Sequence, residues 1–143
     1  MRTWQIPQQY PEFEEKTAII AMDHHRAVVY IAHGREMTEH VALETPDTQF
    51  EYSDREGGPG VSGSEPHNKE HYASVFLNFF ADAMAKMDQA EGIRRYHIFM
   101  PVDMKNIVDK KLPQKIMERT IPHVGNVTKS DPMDLLERVN KHG

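Results

Sequence analysis

Short apolar runs separated by turn residues fill the first third of the chain. Residues 17–22, TAIIAM, suit a strand, and Asp23-His24-His25 supplies the polar break of a tight turn. RAVVYIAH at 26–33 is rich in β-branched and aromatic residues and predicts a second strand. Gly34-Arg35 then turns into EMTEHVALE at 36–44, where Met37, Val41 and Leu43 allow a third. Two hairpins in succession make an antiparallel meander. Ahead of it, residues 1–16 mix Pro7, Pro11, three Gln and the acidic Glu12, Glu14 and Glu15 with neither period, as in an arm or a short edge element.

A stretch of turn chemistry follows at 45–67, with four Gly and three Pro. So long a connection inside a domain is uncommon and usually has a functional reason. Beyond it, Tyr72, Val75, Phe76, Phe79, Phe80, Ala83, Met84 and Met87 recur at the helical period and predict a long helix over 68–90, stopped by Gly92. YHIFM at 96–100 predicts a strand closed by Pro101, and 102–111 a short amphipathic helix. Leu112-Pro113 restarts a helix carrying Ile116 and Met117, because proline suits a first turn. A last strand is expected over 121–127. Asp131 as N-cap, Pro132 and Asp134 then open a terminal helix bearing Leu135, Leu136 and Val139. A meander running into strand–helix alternation indicates an α/β fold, a mixed sheet with helices packed on it. The expected organisation is an arm at 1–16 and one domain at 17–143.

Composition narrows the chemistry. The 143 residues are 38% hydrophobic and 27% charged, with no cysteine, which excludes disulfides, thiolate metal sites and cysteine nucleophiles. No leader pattern opens the chain and no apolar run is long enough for a membrane span, so a cytoplasmic protein without a membrane partner is expected. The net charge is -5, unevenly spread: residues 1–67 hold 5 Lys/Arg against 12 Asp/Glu, and residues 68–143 hold 12 against 10. Contact with a polyanion therefore belongs to the second half.

The layout resembles the middle domain of the class-1 release factors of eukaryotes and archaea, and of the ribosome-rescue protein pelota. There a short meander leads into a Gly-Gly-Gln loop, a long helix, a strand and further α/β units. Here Gly57-Gly58-Pro59-Gly60 stands at the loop and 68–90 at the helix. Asp23 followed by Arg26-Ala27-Val28-Val29-Tyr30 is similar to the opening of bacterial relatives described as host-attachment proteins. Asn68-Lys69-Glu70-His71, Ile98 to Pro101 and Val124 to Lys129 match their later segments. The resemblance spans roughly residues 17–140. It implies a ribonuclease-H-like fold of the translational-machinery-component type and a ribosome or structured-RNA partner, with no cofactor. It does not carry over peptidyl-tRNA hydrolysis. Pro59 stands where the glutamine would, and Glu44, Asp47, Glu51, Asp54 and Glu56 surround the loop with charge that rRNA would repel.

Individual residues are weighed against plainer roles. Lys105, Lys110, Lys111, Lys115 and Arg119 form an RNA-contacting face or a solvated helical surface interleaved with Asp103, Asp109 and Glu118. Asp23, His24 and His25 are the densest group of metal-ligand types, yet adjacent histidines diverge in a turn. Asp23 has no second core carboxylate for a nuclease. Ser62, Ser64, Glu65, His71 and Tyr72 lack a nucleophile-elbow pattern. Two readings remain. One is a non-catalytic ribosome- or RNA-associated module with no catalytic residues. The other is a small-molecule or metal-dependent hydrolase using the 45–67 loop as a lid and His24, His25 or His71 as acid/base groups.

Overall fold

The arm acquires its order from the meander. In the computed structural model, which describes residues 2–44, 65–125 and 131–142, β1 (Thr3–Gln5) pairs antiparallel with β4 (Glu36–Glu44) as an edge strand. The Arg35 guanidinium donates to the carbonyls of Pro7 (3.1 Å) and Tyr10 (2.7 Å), and the Ile6 N–H to the Arg35 carbonyl (2.8 Å). Residues 13–16 are not arm at all: they begin β2 (Phe13–Met22).

Asp23 and Gly34 set the two turns. The Asp23 carboxylate accepts the backbone N–H groups of His25 (2.8 Å) and Arg26 (2.9 Å), the local capture by which aspartate holds a turn. The chain thus reverses at once into β3 (Arg26–Gly34). Gly34, at φ +64°, takes a conformation that costs glycine little and turns β3 into β4.

One detail of β4 departs from the sequence pattern. Met37, Val41 and Leu43 would share one face of an unbroken strand, but Val29 pairs with Val41 while Tyr30 pairs with Glu39, leaving His40 as an extra residue in β4. This bulge reverses the alternation beyond it. Val41 and Leu43 pack on one face of the sheet and Met37 on the other.

The long helix α1 (Glu65–Glu91) crosses back to β5 (Arg95–Met100), which lies parallel to β2. Gly92, at φ +67°, ends α1 and returns its N–H to the Asp88 carbonyl at 3.0 Å. The apolar stripe of α1 is Phe76, Phe80, Met84 and Met87 with Leu77 beside it. Phe79 is 40% exposed, since it lies about 100° around the helix from Phe80. The predicted helix after β5 divides into a 3₁₀ turn (Val102–Met104) and α2 (Lys105–Lys111), followed by α3 (Gln114–Met117) and β6 (Thr120–Val124), parallel to β5. The expected extension of this last strand to 127 falls outside the described residues past Gly125. α4 (Pro132–His142) starts as its signals predict: the Asp131 carboxylate accepts the Met133 N–H at 3.0 Å.

These strands form one mixed sheet in the order β1-β4-β3-β2-β5-β6. β2 is central, and Thr17–Met22 is buried throughout, as a strand covered on both faces must be. On one face Ala18, Ile20, Val29, Tyr96 and Ile98 pack against α1, α2 and α3; on the other Ile19, Ala21, Tyr30 and Phe99 pack against α4. Among the described residues no helix is long and apolar enough to cross a membrane.

At the β6 edge, Tyr96 N–H donates to the Arg119 carbonyl and Gly125 N–H to the Met100 carbonyl. Alternate residues between those anchors turn outward, which puts Pro122 on the open side. Its missing N–H leaves that edge short of a donor for another strand.

Candidate functional site

Polar side chains gather at both ends of the parallel strands. At the C-terminal end, His24 sits in the β2–β3 turn and Asp103 in the 3₁₀ turn after β5. Because β2 and β5 are neighbours, their exits adjoin, and His24 Nε2 lies 2.7 Å from Asp103 Oδ2. The carboxylate orients the imidazole, the arrangement an acid/base histidine needs. Asp103 is 64% exposed, so water competes for it.

The metal trio does not assemble there. Both Asp23 N–H bonds fall on Oδ1, and Oδ2 lies 3.8 Å from Arg26 Nε. The His24 and His25 rings stand 6.4 Å apart with planes tilted by 59°. Among the described residues no group of three His, Cys, Asp or Glu is placed to hold a metal ion.

At the N-terminal end the side chains lock together more tightly. Asp88, in the last turns of α1, receives Arg119 through two parallel bonds, Nη1 to Oδ1 and Nη2 to Oδ2, each 3.0 Å. The Tyr96 hydroxyl donates to the same Oδ1 at 2.8 Å, and Arg119 lies over the Tyr96 ring, 5.6 Å from its centroid. The guanidinium also donates to the carbonyls of Lys115 (Nε, 2.9 Å) and Ile93 (Nη1). Arg119's hydrogen bonds hold the Asp88 carboxyl below its ordinary range despite partial burial, and raise Arg119 in turn. Burial first, and the bond to Asp88 second, push the Tyr96 hydroxyl far above its usual value.

A third polar group lies on the α4 face. His97 and His123 are 4% and 5% exposed, and His97 Nδ1 meets His123 Nε2 at 2.9 Å. Their centroids are 5.2 Å apart with planes within 28°. That separation suits two imidazoles joined head to tail by one N–H···N bond. Phe99 stacks on His123 at 4.3 Å. The sheet register explains the meeting, since Phe99 faces His123 and His97 lies two residues back on the same face.

Of the basic residues singled out from sequence, Lys105, Lys110 and Lys115 are exposed and Lys111 is half-buried. Lys105 opens α2 beside Asp103, Lys110 and Lys111 close it, and Lys115 lies beyond in α3. The structure engages Arg119 internally, as the centre of the Asp88 clamp. Gly57, Gly58, Pro59 and Gly60, like Ser62 and Ser64, lie outside the described residues, as do the side chains of His71 and Tyr72. Asp88, Tyr96, His97 and His123 belong to no motif of the sequence. Each pairs across elements, and only the tyrosine and histidines inside apolar strand runs hinted at buried partners. No protein-family model matches the chain, and no curated protein sequence matches it either.

Proposed function

We propose that this chain is a non-catalytic module that associates with the ribosome or with structured RNA, ribonuclease-H-like in fold and related to the release-factor middle domain. One observation carries the reading: an antiparallel meander, a long connection containing Gly57-Gly58-Pro59-Gly60, a 27-residue helix and then strands parallel to the central one follow in the order that the resemblance implies. Peptidyl-tRNA hydrolysis is not part of the proposal, because Pro59 offers no side-chain amide to position water. Co-sedimentation with ribosomes from lysate tests it. The protein is expected with the ribosomal fractions at low salt and free of them at high salt, as a phosphate-directed contact requires. Recovery at the top of the gradient at both concentrations would sink it.

The His24–Asp103 pair favours a second reading, a small-molecule hydrolase with His24 as acid/base group. Assay against a panel of ester and phosphoester substrates decides that reading. Turnover lost in both His24→Ala and Asp103→Asn would establish it, whereas no turnover by the wild-type protein would remove it.

A further inference from the structure

β6 is held to the sheet unequally along its length. As an edge strand it has one neighbour, β5. At its N-terminal end the Arg119 carbonyl accepts the Tyr96 N–H at 2.9 Å, and the Arg119 side chain is locked to Asp88. Towards the C-terminal end the anchor is different. Of the five residues of β6 only His123 is buried, while Ile121, Pro122 and Val124 are exposed. The side chain that His123 bonds on β5 is a second buried histidine, His97.

An N–H···N bond between two imidazoles needs a bare nitrogen on the accepting ring. A first extra proton can settle on a far nitrogen and leave the bond in place. A second puts N–H groups on both facing atoms, and they repel. With the rings only 4% and 5% exposed, water does little to stabilise that charge. Once released into water, each ring is an ordinary histidine that takes up a proton as the pH falls past about 6.5. The open state therefore binds more protons than the closed one. What the pair contributes to holding β6 is complete above that pH and is lost below it.

The other ionisable groups on this face of the sheet stand in water or stay neutral. On β5, alternation puts Arg95 on the same face as His97, two residues before it, and the adjoining start of β2 carries Glu14 and Glu15; all three are exposed. Beside His97 on β2 is Ile19, and Ile121 precedes His123 on the same face of β6. The Tyr30 hydroxyl on β3 is raised above its usual value, by burial first and Glu39 second, and keeps its proton. α4 turns Leu135, Leu136 and Val139 to the sheet, while Asp131, Asp134, Glu137, Arg138 and Lys141 are exposed. Solvent screens such groups, so the pair's own geometry sets its response.

From this arrangement we infer that β6 is an acid-released strand: protonation of both His97 and His123 frees its C-terminal half from β5, while the Asp88–Arg119 clamp keeps its N-terminal end in place. The clamp outlasts mild acid because Arg119 holds the Asp88 carboxyl below its ordinary range, so Asp88 is still ionised when the histidines charge. An edge strand with one neighbour and one buried side chain is also the part of the sheet that opens at least cost. Release uncovers the edge of β5, a strand with no proline between Arg95 and Met100.

Amide hydrogen exchange of the full chain at about pH 7.5 and about pH 5.5 tests this, with each rate divided by that of the unfolded chain at the same pH. The reporting amides are His123 and Gly125, the latter bonded to the Met100 carbonyl at 2.8 Å. Their protection is expected to fall by at least about tenfold in acid, while the Tyr96 amide and those of β2 and β3 change by less than about twofold. In His97→Leu/His123→Leu, which removes both partners together and strands neither, the acid loss should disappear. If that variant does not fold, the wild-type ring protons decide: His97 and His123 must titrate at the midpoint of the exchange change. Equal protection of His123 and Gly125 at both pH values overturns the proposal. So does a loss that persists in the folded double variant, that follows a midpoint other than that of the two rings, or that β2 and β3 share.

Discussion

The two ends of the parallel strands hold their polar groups in opposite ways. At the C-terminal end a single hydrogen bond joins His24 to Asp103, whose carboxylate is largely in water. At the N-terminal end Asp88, only 11% exposed, takes a bidentate arginine and a tyrosine hydroxyl, and the same arginine caps two carbonyls. The difference teaches where stability and where reactivity reside. A desolvated, multiply bonded group is costly to disturb and poor at exchanging partners, whereas an exposed pair is cheap to disturb and free to meet a ligand.

The sharpest way to break that contrast is to remove Asp88. Asp88→Ala strands the Arg119 guanidinium and the Tyr96 hydroxyl, and is expected to lower stability by about 2–3 kcal/mol in urea denaturation. Tyr96→Phe deletes one bond only and should cost about 1 kcal/mol.

Acid sharpens the comparison further. Because the folded Asp88 carboxyl lies below its ordinary range, its contribution is complete above that range and is lost as the pH falls through the depressed folded value. Urea midpoints followed from about pH 5 to about pH 2 should therefore fall less steeply in Asp88→Asn than in wild type. Equal slopes would show that the clamp does not set the acid limit.

At the other end, His24→Ala and Asp103→Asn should each cost less than about 1 kcal/mol. Smallest of all is the effect on stability of neutralising the exposed Arg94 and Arg95, within about 0.5 kcal/mol. A large stability loss there would place the two arginines in the clamp rather than on its surface.

Much of the architecture was legible along the chain because its signals are local. The 36–44 strand, the capping of α4 by Asp131 and the stop at Gly92 all depend on residues within a few positions of each other. The site was less legible. Lys105 to Arg119 allow either an RNA-contacting face or a solvated surface in sequence, and the fold turns Arg119 inward to Asp88. Asp23 is a ligand type by residue identity, but its Oδ1 is taken by the backbone of its own turn.

By itself, the sequence determined the kinds of element, their order, the turns and the excess of positive charge in the second half, since periodicity, capping and charge count are properties of neighbouring residues. Only the tertiary structure decided that His40 bulges and sends Met37 to the α4 face, that His97 and His123 share one hydrogen bond, and that Arg119 ties Asp88 to the carbonyls of Ile93 and Lys115. Each of these depends on strand register or on a cross-element contact. The energy that fixes them comes from burying a whole face, and no short stretch of chain contains it.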